Sequence, residues 1–231
     1  MPYRPQEREY RSFKASNFRA LESEDESPSY KVVGYFTTFN DEYLLFPRTK
    51  GWPAEYEQID PHAFDQCDMG DVVFQFDHRG MVMSRKRNGT LTIGMDEHGA
   101  WCEAYLGGCE QGRNLFEAIQ NGLIDEMSFG FVIYEDSDSN GYTTYKDESG
   151  DYHTTITRIS VLYDVSAVSI PANPNTEIGE MRKRSYLSAR IESDRVEAEE
   201  ARRMAEERAA HEREARNRAK RRARALQLQG I

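Results

Sequence analysis

Apolar positions along this chain fall into short runs separated by turn-forming residues, a spacing that predicts strands through most of its length. The strongest run, residues 30–39, carries KVVGYFTTF, whose β-branched and aromatic side chains suit a pleated surface. A second strand is expected over residues 13–21, joined to it by the acidic loop ESEDESPS. Pro47, Gly51, Pro53 and Pro61 then break any long element. Residues 71–76, DVVFQF, predict a short strand that delivers Asp77, His78 and Arg79 at its end, and MVMSRKRNG reads as a basic loop. Two further runs, 90–95 and 100–106, flank the turn-forming Asp96-Glu97-His98-Gly99. Alternation in WCEAYL points to a strand with one buried face. Residues 113–121 switch to helical spacing, with Leu115, Phe116 and Ile119 on one side and Gly122 as the stop. EMSFGFVIY follows as a strand, 135–150 as a polar loop, and 152–159 with 160–170 as a strand pair ending at Pro171-Ala172-Asn173-Pro174. The pattern predicts an α+β, mainly β, barrel-like domain with few helices.

The pattern changes after residue 185. From there to residue 228 there is no proline or glycine, and Ala, Arg and Glu dominate, which predicts a long charged helix. Glu199 with Arg203 and Glu212 with Arg216 stand four apart in the favourable order. Sustained apolar heptads are missing, so a solvated single helix is expected rather than a coiled coil. The expected organisation is a flexible N-terminal arm over 1–12, a folded domain over 13–180 and a helical tail over 181–231, the tail serving as a spacer, a docking element or a scaffold-like segment.

Charge follows the same division. Residues 180–231 hold 15 basic and 10 acidic side chains, which leaves 15 basic and 30 acidic in residues 1–179. An acidic body argues against nucleic acid as its partner. No apolar run approaches the roughly 18 residues of a membrane span, and MPYRPQEREYR lacks the apolar core of a signal peptide. Cys67, Cys102 and Cys109 show no CxxC spacing, which suits a reducing compartment without structural zinc. Neither a metal nor a cofactor is expected.

Candidate chemistry centres on Ser128, a hydroxyl at the start of an apolar strand, with Gly130 two residues on leaving room for a substrate backbone. A serine nucleophile needs a base, and the base needs an acceptor on its other nitrogen. Of His62, His78, His98, His153 and His211, only His78 closes a buried-looking strand at a loop junction, where sites are commonly built. Asp136-Ser137-Asp138-Ser139-Asn140-Gly141 opens like a calcium-binding loop, yet its twelfth position is Asp147 rather than Glu and its flanks read as strands, so a polar hairpin loop is expected. Cys102 sits mid-strand without a neighbouring histidine and reads as a buried thiol.

DHRG after an apolar strand, a hairpin ending in WCEAYL, a helix leading into NGLIDEMSFGF, and YDVSAVSIPANPNTEI together resemble the prohead maturation proteases of tailed bacteriophages. That family consists of serine peptidases similar in fold to herpesvirus capsid proteases. The resemblance spans about residues 13–178, includes VVGYFTTFN and IDPHAF, and places SFGF 50 residues after the histidine. It implies Ser128 as nucleophile, His78 as base and Asp164 as the orienting carboxylate, with His153 as the rival third member because herpesvirus enzymes use a second histidine there. Backbone N–H groups of Phe129 and Gly130 are the expected oxyanion donors. The resemblance further implies an endopeptidase that cleaves scaffold and major capsid protein segments, and itself, inside the assembling prohead in the host cytoplasm, with self-association possible. Met83-Ser84 before the basic RKR depart from the family pattern and bear on the adjoining substrate cleft. The alternative is a non-enzymatic scaffold or capsid-interaction protein.

Overall fold

A computed structural model describes residues 8–13, 17–23, 27–136, 139–169 and 187–228. By contact density the chain divides into two units, Met1–Ile178 and Gly179–Ile231. In the first, strands β1 (Glu9–Phe13), β2 (Arg19–Ala20), β3 (Lys31–Thr38), β4 (Tyr43–Phe46) and β5 (Glu55–Ile59) come before β6 (Val73–Phe76) and β7 (Arg79–Arg85). β8 (Leu91–Met95) and β9 (Gly99–Tyr105) lead to helix α1 (Glu110–Gln120), after which β10 (Glu126–Ile133), β11 (Tyr142–Lys146), β12 (Tyr152–Ile156) and β13 (Ile159–Val168) complete the unit. The segment from Ile170 through PANPNTEI lies outside the described residues.

The unit is mainly β, and its strands divide among three sheets rather than closing into a barrel. One sheet has the order β1-β10-β13-β6-β7, a second β11-β12-β5-β4 and a third β2-β3-β9-β8. β10 is the centre of gravity of the first. It is paired on both edges, and Met127 through Ile133 are all buried, which is why MSFGFVI reads as a nearly unbroken apolar run. Phe36 of β3 packs on Phe129 of β10 at 5.5 Å between ring centroids, and Phe129 stacks on Phe131 at 4.6 Å, so the first and third sheets share a core. Helix α1 buries Leu115, Phe116 and Ile119 on one side, as its spacing predicts. Its first turn is capped by Cys109, whose Sγ accepts from the Gly112 N–H at 3.4 Å.

Four stretches depart from the sequence expectation. Residues 9–12, read as part of a mobile arm, belong to β1; of the strand expected over 13–21, the described residues show Phe13 closing β1 and Arg19–Ala20 forming β2. The Pro-bearing stretch contains β4 and β5, and in β5 the inward positions are Glu55, Glu57 and Ile59, so acids stand where apolar residues signal a strand. The basic loop after Asp77-His78 is β7, and the polar loop over 135–150 contains β11. The calcium-loop window is thereby interrupted: Asp136 accepts from the Ser139 N–H at 2.7 Å, and the second half of the window is strand. Among the described residues, no group of His, Cys, Asp and Glu side chains is placed to hold a metal ion.

In the second unit, helix α2 (Ser188–Leu228) is 41 residues long, as its composition predicts. Arg202 pairs with Glu206 at 3.1 Å, Arg195 with Glu192 at 2.6 Å and Arg218 with Glu214 at 3.9 Å. Such surface pairs contribute about 0.2–0.5 kcal/mol each. No helix among the described residues is long and apolar enough to cross a membrane.

Candidate active site

β13 is the strand that brings distant residues together. It runs antiparallel to β10 on one edge, with Ser166 opposite Ser128 and Asp164 opposite Gly130, and parallel to β6 on the other, with Ala167 beside Phe76. Opposite residues of paired strands project to the same face. Ser128, Gly130, Asp164 and Ser166 therefore share one face of the sheet, and the end of β6 arrives beside them.

At that end, Asp77 and His78 form the whole two-residue turn into β7, with φ of 50° and 56°. Positive φ at both central residues is the geometry whose twist matches a β-hairpin, and it normally selects Asn-Gly or Asp-Gly. A histidine held there costs on the order of 1–3 kcal/mol. The Asp77 carboxylate offsets part of that by accepting from the Ser169 N–H at 2.9 Å and the Ser169 hydroxyl at 2.9 Å, and its own N–H donates to Ala167 O at 3.0 Å. The turn is thus pinned to β13, which fixes the direction of the His78 ring.

The ring lies between the two other side chains. His78 Nδ1 is 2.5 Å from Asp164 Oδ2, and His78 Nε2 is 2.6 Å from Ser128 Oγ. Ser128 and Asp164 are almost completely shielded from solvent, at 0% and 1% relative exposure, while His78 keeps 16% of its side chain open. Asp164 Oδ2 also accepts from the Ser166 hydroxyl at 3.1 Å, and Oδ1 faces the Arg8 guanidinium at 3.6 Å. With a carboxylate on Nδ1, the imidazole carries its proton there and presents a lone pair at Nε2. That arrangement can accept the hydroxyl proton of Ser128.

Other expected site features are placed differently. Gly130 leaves room for the Asp164 carboxylate rather than for a substrate: a Cβ there would stand 2.5 Å from Oδ1 and 2.9 Å from Tyr10. Phe129 and Gly130 lie mid-strand with β1 on one side and β13 on the other, so their N–H groups point into the ladder rather than to an open oxyanion position. His153 is on β12, in the second sheet, with Nδ1 2.9 Å from Glu42 and Nε2 3.5 Å from Asp147, and its neighbours do not include His78 or Ser128. Cys102 is fully buried, and burial pushes its thiol well above the ordinary value, as an inert core thiol requires.

Three neighbours escaped the sequence reading. The Ser128 hydroxyl is within 2.9 Å of the Arg11 carbonyl oxygen, on β1. The Tyr10 ring packs on the His78 ring at 4.4 Å. Arg11 itself turns to the opposite face, where its Nε and Nη2 donate to the two Glu57 carboxylate oxygens at 2.5 and 2.9 Å, and Tyr43 donates to the same carboxylate. Burial works against the Arg11 charge, yet Glu57 and Glu9 outweigh it and hold the guanidinium well above its ordinary pKa. The available signal was the start of EYEQI, where Glu55 and Glu57 alternate with Tyr56 in inverted polarity before Ile59 restores the ordinary one.

A family model described as caudovirus prohead serine protease matches residues 16–189, most of the chain. No curated protein and no solved structure matches.

Proposed function

The chain belongs to the caudovirus prohead serine protease family, and on that premise we propose that Ser128, His78 and Asp164 are its catalytic triad, acting on capsid and scaffold proteins inside the prohead. The observation that carries this reading is the continuous chain from Asp164 through His78 to Ser128, with links of 2.5 and 2.6 Å. His78 Nε2 takes the hydroxyl proton as Ser128 Oγ bonds to the scissile carbonyl carbon. The resulting tetrahedral centre collapses, the C–N bond breaks, and the leaving amine takes the proton from Nε2. Water then repeats the sequence on the acyl-enzyme: Nε2 accepts a proton from it, the acid product leaves, and the Ser128 hydroxyl is restored. Asp164 holds the proton at Nδ1 and stabilises the imidazolium formed at each stage. Substrates are extended segments of the major capsid and scaffold proteins, and this chain is cut as well.

Co-expression of the assembly proteins with Ser128→Ala is the direct test. Loss of the nucleophile is expected to lower turnover by about 10⁴ or more, so that untrimmed shell proteins accumulate in mass spectra. Normal trimming with the variant would overturn the assignment.

A further inference from the structure

Strand β1 stands where a substrate for β10 would have to lie. β1 is the edge strand of its sheet and pairs with β10 residue for residue, from Glu9 opposite Phe131 through Ser12 opposite Ser128 to Phe13 opposite Met127. An extended peptide that adds to a sheet edge makes these same main-chain bonds. Here the edge is already taken, and the carbonyl of Arg11 lies 2.9 Å from Ser128 Oγ.

Three features set this pairing apart from an ordinary edge contact. The Ser128 hydroxyl has one proton and two acceptors, the Arg11 carbonyl oxygen and His78 Nε2 at 2.6 Å, so donation to β1 withholds the proton from the base. Successive N–H groups of a strand alternate between its two neighbours. Either Phe129 or Gly130 therefore directs its N–H at β1, and an oxyanion donor becomes available there only when β1 is gone. Finally, Tyr10 packs on the imidazole, and Arg11 fastens the strand from behind through its two hydrogen bonds to Glu57, a carboxylate with no solvent exposure.

We propose that β1 is an intramolecular occupant of the peptide-binding edge of β10, which keeps Ser128 latent until the strand is displaced by an extended substrate segment. This rests on the assignment of Ser128 as nucleophile. The region matched by the family model begins at residue 16, so β1 lies before it. The Arg11–Glu57 pair sets the cost of release, because opening the strand leaves Glu57 in a buried position without its guanidinium.

The test uses the full chain and reads the rate of covalent labelling of Ser128 by a fluorophosphonate, with adducts located by mass spectrometry. Two variants loosen β1 by separate routes: Ser12→Pro, which disrupts strand pairing, and Arg11→Met with Glu57→Gln, which removes both charges of the clasp together. Folding is checked by thermal unfolding, and one folded variant suffices. Labelling is expected to accelerate by roughly tenfold or more, the factor implied when a competent state rises from a tenth or less of the population. Adding the free peptide Arg-Glu-Tyr-Arg-Ser-Phe is expected to slow the Ser12→Pro variant again. A folded variant labelled at the wild-type rate overturns the latch and leaves the peptidase assignment standing. No Ser128 adduct in any form overturns both.

Discussion

Two histidines of this molecule have nearly the same surroundings and opposite prospects. His78 and His153 each place Nδ1 against a carboxylate, Asp164 at 2.5 Å and Glu42 at 2.9 Å, and each packs on tyrosine, His78 on Tyr10 and His153 on both Tyr56 and Tyr145. The difference is on the other nitrogen. His78 Nε2 meets the Ser128 hydroxyl, whereas His153 Nε2 faces a second carboxylate, Asp147, at 3.5 Å. Burial lowers the pKa of His153, but Glu42 and Asp147 together more than offset it and raise the pKa above the ordinary value. A histidine between two acids is favoured as a cation and has no lone pair to offer. One acid and one hydroxyl make a base, and two acids make an ion-pair anchor.

On the proposed assignment of His78 as the base, the largest expected effect follows from altering the carboxylate at its Nδ1. Asp164→Asn would retain the shape of the site but lets the amide donate to Nδ1, which moves the imidazole proton to Nε2 and aims a donor at Ser128. A loss in kcat of about 10⁴ is expected, with little change in thermal midpoint. Measured peptide turnover within tenfold of wild type would show that the carboxylate does not set the tautomer. An intermediate effect is expected at Gly130→Ala. Its new Cβ would stand 2.5 Å from Asp164 Oδ1 and must push the carboxylate away from Nδ1. A displacement on the order of 1 Å lowers rate by about 10². Retained turnover with an unshifted Asp164 in a crystal structure of the variant would contradict that account.

The two histidines also differ in how far they could be read from the sequence. His78 was legible because it ends DVVFQF, a strand whose apolar run is visible, and because a buried strand delivering a titratable residue to a turn is an informative juncture. β10 and β3 were legible for a related reason: both lie inside their sheets, so burial writes an apolar or alternating pattern into them. β1, β4, β7 and β11 are edge strands, with little surface to bury, and Arg79–Arg85 or Tyr142–Lys146 accordingly read as loops. β5 failed differently. It is interior to its sheet, but its inward Glu55 and Glu57 invert the pattern, and Glu57 is satisfied by Arg11, 46 residues earlier. No local rule announces an ion pair across that separation. The covering of Ser128 by β1 was hidden for the same reason, since it depends on an edge strand that carries an arginine inward.

The smallest effect separates the two histidines by pH rather than by rate. His153→Gln is expected to leave peptide turnover unchanged and to lower stability only where the wild-type ring is charged. The sign is fixed by the raised pKa: the folded state holds the proton more tightly than the unfolded chain, whose histidine titrates near about 6.5. The stabilisation is therefore complete below about pH 6.5 and fades as pH rises through the higher folded value. For a partly screened pair it amounts to about 1 kcal/mol at most. Urea unfolding of wild type and variant at about pH 5.5 and about pH 9 measures it, and both values stay clear of carboxylate titration near about pH 4. The gap between the two proteins should be widest at the acidic end and close at the alkaline end. A gap that widens with rising pH would mean that His153 is held neutral in the fold, and the two carboxylates beside it would then not act as its ion-pair partners.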